Sequence, residues 1–189
     1  MKRAILFGCL ALAVVSVLPV SASTFLAMDQ SEMVAQSEAI VVGRVLQIDS
    51  FWNAERTMIV TQVSLEVLEN VVGRTDATVV TIRTYGGQVE NYRIEAHGFP
   101  VFTPGERVLV FLRQDEADPQ AYAITGYRLG QYSLVRHANG RTTAVPTLEA
   151  GVNLLKRDGS VSPRPQARDL DELKSQLRSL AASSARTLR

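Results

Sequence analysis

Imidazole is the one side chain that both titrates near neutrality and ligates metals, so the chain's two histidines, His97 and His137, are the first residues to consider for chemistry. With a carboxylate such as Glu95 beside them, a histidine pair supplies either metal ligands or a general base with its orienting partner. The spacing gives no reason for the two to meet: His97 starts the loop before Gly98, and His137 stands beside Asn139-Gly140 in a turn. No G-x-S-x-G elbow, phosphate-binding G-x-x-x-x-G-K, H-E-x-x-H or calcium loop accompanies them. The single cysteine, Cys9, falls in the apolar N-terminal segment, so thiol catalysis and cysteine-based zinc sites are excluded from the chain that follows it. The reading is therefore a protein with no catalytic residue, no metal and no cofactor. The competing class is a metal-dependent or hydrolytic enzyme built on His97 and Glu95, joined by His137.

Residues suited to binding are easier to find. Trp52, the only tryptophan, lies with Phe51 and Arg56 in a polar segment between two strand-like runs. An aromatic ring beside an arginine at the end of a small barrel suits a peptide, sugar or nucleotide. Tyr85, just before Gly86-Gly87, is placed to line a groove. Trp52, Arg56, Tyr85 and His97 are the candidate ligand-binding residues. The plainer alternative gives Trp52 and Tyr85 to core or edge packing.

These residues need strands to position them. Ala39 to Ile48 begins as a solid apolar run and turns to alternation after Gly43, which predicts a strand with a bulge or bend at the glycine. Thr57 to Glu69 alternates Ile59, Thr61, Val63, Leu65 and Val67 against Met58, Val60, Gln62, Ser64, Glu66 and Leu68, a long second strand folding back on the first. Ala77 to Tyr85 reads as a third strand, and Gln88 to Ala96 as an edge strand or irregular excursion. Pro104-Gly105 is a turn dipeptide feeding Val108 to Leu112, whose unbroken apolar run predicts a strand covered on both sides or lining a closed barrel. A short strand follows at Ala121 to Thr125, and Asn139-Gly140 predicts a two-residue type I′ hairpin pairing Tyr132–Arg136 with Arg141–Val145. Helical patterning frames this β body. Thr24 to Ser37 carries Asp29 as a cap, and Leu170, Leu173, Leu177 and Leu180 form one stripe behind a capping Asp169.

Lys2 and Arg3, the apolar run Ala4 to Val20, and small residues at Val20-Ser21-Ala22 form a Sec-type signal peptide with cleavage before Ser23. Removing 22 of 189 residues leaves 167, enough for one sizeable core. That mature chain has no cysteine and must rest on packing alone. It keeps 18 of the 20 basic residues against all 19 acidic ones, a near balance that argues against nucleic acid or an anionic membrane as partner. The leader, once cleaved, leaves no stable membrane span.

Ala39-Ile40-Val41-Val42-Gly43-Arg44-Val45, Val63-Ser64-Leu65-Glu66-Val67 and Phe102-Thr103-Pro104-Gly105-Glu106-Arg107-Val108-Leu109-Val110-Phe111-Leu112, taken in this order after a helix, resemble small exported bacterial proteins of unknown function. The stretch from Ala39 to Val145 is similar, more distantly, to netrin-like domains and the tissue inhibitors of metalloproteinases. That resemblance implies a five-stranded OB-type barrel. Inhibition in those relatives depends on a disulfide-bonded cysteine at the mature N-terminus, whereas here the expected start is Ser23-Thr24-Phe25, so only the fold carries over.

The combined expectation is a mainly β chain. A signal peptide occupies 1–22, an OB-like antiparallel β-barrel with an N-terminal helix 23–150, a linker 151–167, an amphipathic C-terminal helix 168–182 and a loose tail 183–189. Its function reads as an exported non-catalytic binding module, periplasmic or secreted, for a protein or envelope component. A third class is a structural envelope protein that contacts partners through the C-terminal helix. N-terminal sequencing of the exported product should begin Ser23-Thr24-Phe25; a product that retains Met1 through Ala22 after export would contradict the leader.

Overall fold

The turn Thr103-Pro104-Gly105-Glu106 sets the frame of the molecule. Gly105 takes φ 82°, and Glu106 donates its backbone N–H to the Thr103 carbonyl at 3.1 Å. The Glu106 carboxylate accepts in return from the Thr103 N–H at 3.0 Å, and burial pushes that carboxyl above its ordinary range. The chain then enters the strand Arg107–Gln114, in which Val108 through Leu112 are all fully buried.

In this computed structural model, which describes residues 24–149 and 152–187, the elements follow in chain order. They are β1 (Thr24–Leu26), α1 (Gln30–Gln36), β2 (Ala39–Trp52), β3 (Ile59–Gly73) and β4 (Val79–Tyr85), then a small hairpin of β5 (Gly87–Val89) and β6 (Tyr92–Ile94). After β7 (Arg107–Gln114) come β8 (Tyr122–Ile124), a 3-10 turn (Tyr127–Gly130), β9 (Gln131–Arg136), β10 (Thr142–Pro146), β11 (Asn153–Leu155), β12 (Arg168–Asp169) and α2 (Leu170–Thr187). The leader and its cleavage point lie outside the described residues.

Five strands close a barrel: β7 pairs with β2, β2 with β3, β3 with β4, β4 with β8, and β8 returns to β7. Every pairing in the ring is antiparallel except β4 with β8, which is parallel and holds by one residue pair, Ile82 with Tyr122. The opposite edge of β7 is divided. Val108 to Val110 pair with β9, which carries the sheet on to β10 and β12, while Leu112 to Gln114 pair with β8.

Strand alternation sends side chains to two cores. Val108, Val110 and Leu112 join Val41, Val45, Leu65, Val80 and Ile82 inside the barrel. Leu109 and Phe111 point outward with Ile40 and Val42, and are covered by Met33 and Val34 of α1, Leu173 and Leu177 of α2, and Tyr132. Asp29 caps α1, accepting from the Glu32 N–H at 2.7 Å, and Asp169 caps α2 through the Asp171 N–H at 2.9 Å. The leucine stripe of α2 is thus covered by the protein's own body, and Lys174 and Arg178 tie it to Glu69 of β3.

Gly43 is required where β2 bends. The ladder slips between Val42 and Gly43, and a Cβ there would fall 2.6 Å from Cγ of Leu65 and 2.7 Å from the Glu66 carbonyl. The predicted bulge therefore has a steric cause: the barrel brings β3 too close for a side chain.

Several boundaries differ from the sequence reading, each because of a distant partner. Only Gln30–Gln36 of the segment read as a helix is helical; Thr24–Leu26 pairs in parallel with Asn153–Leu155, inside the stretch read as a linker, where Val152 and Leu154 are buried. Phe51 and Trp52 belong to the β2–β3 ladder, opposite Val60 and Ile59, instead of a loop. At Asn139-Gly140 only the glycine has positive φ, so no type I′ turn forms; Gly140 donates to the His137 carbonyl across a four-residue turn. The last helix runs to Thr187, past the expected end at residue 182.

Phe111→Ala should lower stability by about 3–5 kcal/mol, since it empties a fully buried ring site in the outer core. Val101→Ala, at a residue 62% exposed, should stay within about 0.5 kcal/mol. Urea unfolding of the two variants checks the contrast.

Candidate functional site

A cleft opens at the weakest part of the ring. Along the seam between β4 and β8 runs a cleft of about 380 Å³, walled by Arg83 to Tyr85 of β4, Asp115 to Ala117 after β7, and Phe99, Pro100 and Tyr127 from the two neighbouring loops. On the far side of Tyr85 a second cleft, of about 550 Å³, reaches Arg93, Glu95 and His97.

An aromatic chain forms the ridge between the clefts. Tyr85 meets Phe99 edge to face at 5.2 Å between centroids, and Phe99 meets Tyr127 at 5.0 Å in the same manner. Arg83 is held beneath this ridge. Its guanidinium lies 5.0 Å from the Tyr85 ring centroid, donates to the Tyr85 hydroxyl at 3.1 Å and approaches Asp115 at 3.5 Å. Asp115 is itself buried and accepts from the N–H groups of Ala117 and Asp118, both at 2.9 Å, which pins the β7–β8 loop against the cleft.

Tyr127 is the anomalous residue. It takes φ 54°, in the left-handed region, directly after Gly126 at φ 70°. A bulky side chain there costs about 1–2 kcal/mol, and the residue is nevertheless 48% exposed. Burial does not explain the strain. What holds the turn is Arg128, which donates to the carbonyls of Phe99 at 2.8 Å and Thr147 at 3.1 Å and pairs with Glu149 at 3.0 Å.

Of the four residues predicted from sequence, Tyr85 and His97 share the second cleft, whose lining includes neither Trp52 nor Arg56. Trp52, half-buried, meets Tyr92 of the β5–β6 hairpin at 5.6 Å, and Arg56 is exposed in the β2–β3 turn. His97 lies 3.9 Å from Glu149, while Glu95 pairs with Arg93 and His137 bonds to Thr143 on the β9–β10 hairpin. Among the described residues no group of three or more histidine, cysteine, aspartate or glutamate side chains is placed to hold a metal ion.

Sequence reasoning missed Arg83, Phe99, Asp115, Tyr127 and Arg128. One local signal was available: Gly126-Tyr127-Arg128-Leu129-Gly130 brackets an aromatic and a cation with two glycines, a pattern suited to a fixed, exposed turn. No family model, curated protein or solved structure matches this chain.

Tyr127→Gly should leave stability unchanged or raise it by up to about 1 kcal/mol, because relief of the left-handed backbone offsets the lost ring contact. A loss above about 1 kcal/mol in urea unfolding would mean that Tyr127 is held for packing instead.

Proposed function

We propose that this chain is an exported, non-catalytic binding module on an OB-type barrel, and that it takes a protein or envelope partner across the Tyr85–Phe99–Tyr127 ridge. The observation that carries this reading is Tyr127, a strained aromatic residue held half out of the surface where packing alone would have favoured a relaxed backbone and a buried ring.

The order of pairing supports the OB-type reading. A five-stranded ring left partly open at one seam is the pattern of that barrel, whose ligands lie over the second and third strands and beside the loops joining strands one to two and four to five. The equivalents here are β3, β4, the turn at 53–58 and the loop at 115–121. Arg83, Tyr85 and Asp115 stand in that region. Recognition of a polypeptide suits the chemistry as well, because exposed aromatics with arginine beneath them are the residue types that dominate protein interfaces.

The exported chain, used as bait on envelope extract, should recover a partner in proportions that fall at least about tenfold for the Tyr85→Ala/Tyr127→Ala double variant, a loss of about 1.4 kcal/mol or more. Equal recovery by the double variant, or no partner above control in repeated trials, would refute the ridge as the binding surface.

A further inference from the structure

A third concavity lies against the Gly126 turn and shares Arg113, Ile124 and Tyr127 with the seam cleft. It is a pocket of about 290 Å³ between β1, α1 and the start of the 3-10 turn. Its walls are mostly apolar, with Phe25, Ala27, Met28, Ile124, Leu129 and Leu148 among them. Three arginines also reach it, Arg113, Arg128 and Arg157, against one carboxylate, Glu32.

Each of these arginines has a carboxylate partner, but only that of Arg157 lies in the pocket wall. Arg157 and Glu32 neutralise each other at 2.5 Å. The partners of the other two arginines, Glu116 for Arg113 and Glu149 for Arg128, are not part of the pocket wall. Glu116 is 88% exposed, so its pair with Arg113 is weak and open to exchange. Arg128 is only 14% exposed and is fixed by its two carbonyl acceptors and Glu149, which engage three of the five guanidinium N–H groups. An apolar chamber is thus reached by two guanidinium groups whose carboxylate partners lie outside its wall, one of them rigidly placed.

We propose that this pocket binds a small monocarboxylate with an apolar body, of the medium-chain fatty acid class. The volume admits about ten water-sized groups at about 30 Å³ each, which matches a chain of about eight to ten carbons. The carboxylate is the part that the arginines recognise, since a guanidinium presents parallel donors to its two oxygens. The chamber shares Arg113 and Tyr127 with the seam cleft, but its wall of β1 and α1 is its own, and neither Tyr85 nor Phe99 lines it.

Calorimetric titration of the purified exported chain with decanoate, below its micelle concentration, tests the assignment. One decanoate should bind per chain, and decanol and acetate should bind at least about tenfold more weakly, the first lacking the charge and the second the apolar body. Arg113→Met should erase the preference for decanoate over decanol. Ala27→Phe should abolish decanoate binding by filling the chamber; should that variant lose its far-ultraviolet circular dichroism, Leu148→Trp serves the same purpose. Absence of binding, equal affinity for decanol, or unchanged affinity in a folded chamber-filling variant would each overturn the proposal. Partner capture by the ridge is expected to survive Ala27→Phe, so failure here is distinguishable from failure there.

Discussion

The structure depends on what happens along both edges of β7. Five consecutive residues, Val108 to Leu112, have no exposure, so their backbone N–H and C=O groups cannot turn to water and must find partners on each side. One edge is satisfied by β2 throughout. The other is shared between β9 and β8, because neither covers the whole strand. That division makes the molecule both a closed barrel and an open sheet: the half of β7 that meets β8 closes the ring, and the half that meets β9 extends it toward β10 and β12.

Two cores follow from the same strand. Alternate residues of β7 and β2 face the barrel interior or the helices, so each core borrows half the side chains of two shared strands. The outer core explains why helices as different as α1, of 7 residues, and α2, of 18, are both ordered: each adds an apolar face to the cluster that holds Ile40, Leu109 and Phe111, α1 beside β7 and α2 beside α1, β3 and β10. A chain without cysteine after residue 9 has no covalent staple there, and these layers supply the burial that it needs.

Two clefts flank the place where this order is weakest. The β4–β8 pairing is a single parallel bridge, and the loops at 96–101 and 126–130 fill the space beside it with aromatic rings instead of ladder hydrogen bonds. Of the three non-glycine residues with positive φ among the described residues, Arg56 lies in the β2–β3 turn, and Glu90 and Tyr127 fall in the segments around these clefts, at φ 53° and 54°. Glu90 sits in a two-residue hairpin turn, where a left-handed corner is ordinary. Tyr127 has no hairpin to explain it, only the Arg128 clamp on Phe99, Thr147 and Glu149.

The amino-acid sequence by itself determined what depends on neighbours within a few residues. The unbroken run Val108 to Leu112, the Pro104-Gly105 turn, the bend at Gly43, the caps Asp29 and Asp169 and the leucine stripe of the last helix were all legible, because turn chemistry, capping and periodicity are local. The tertiary structure alone decided what depends on residues far apart in the chain. Thr24–Leu26 became a strand because Asn153–Leu155 lies beside it, and Asn139 kept a negative φ because the register of β9 and β10 made a four-residue turn. The candidate site belongs to this second kind. Arg83, Phe99, Asp115 and Tyr127 are ordinary residues in sequence, separated by up to 44 positions, and they acquire a shared surface only where the barrel's last pairing leaves room. Trp52 and Arg56, conspicuous as residue types, were taken up by the β2–β3 hairpin, since the position of a side chain on a closed barrel is set by strand register and not by its chemistry.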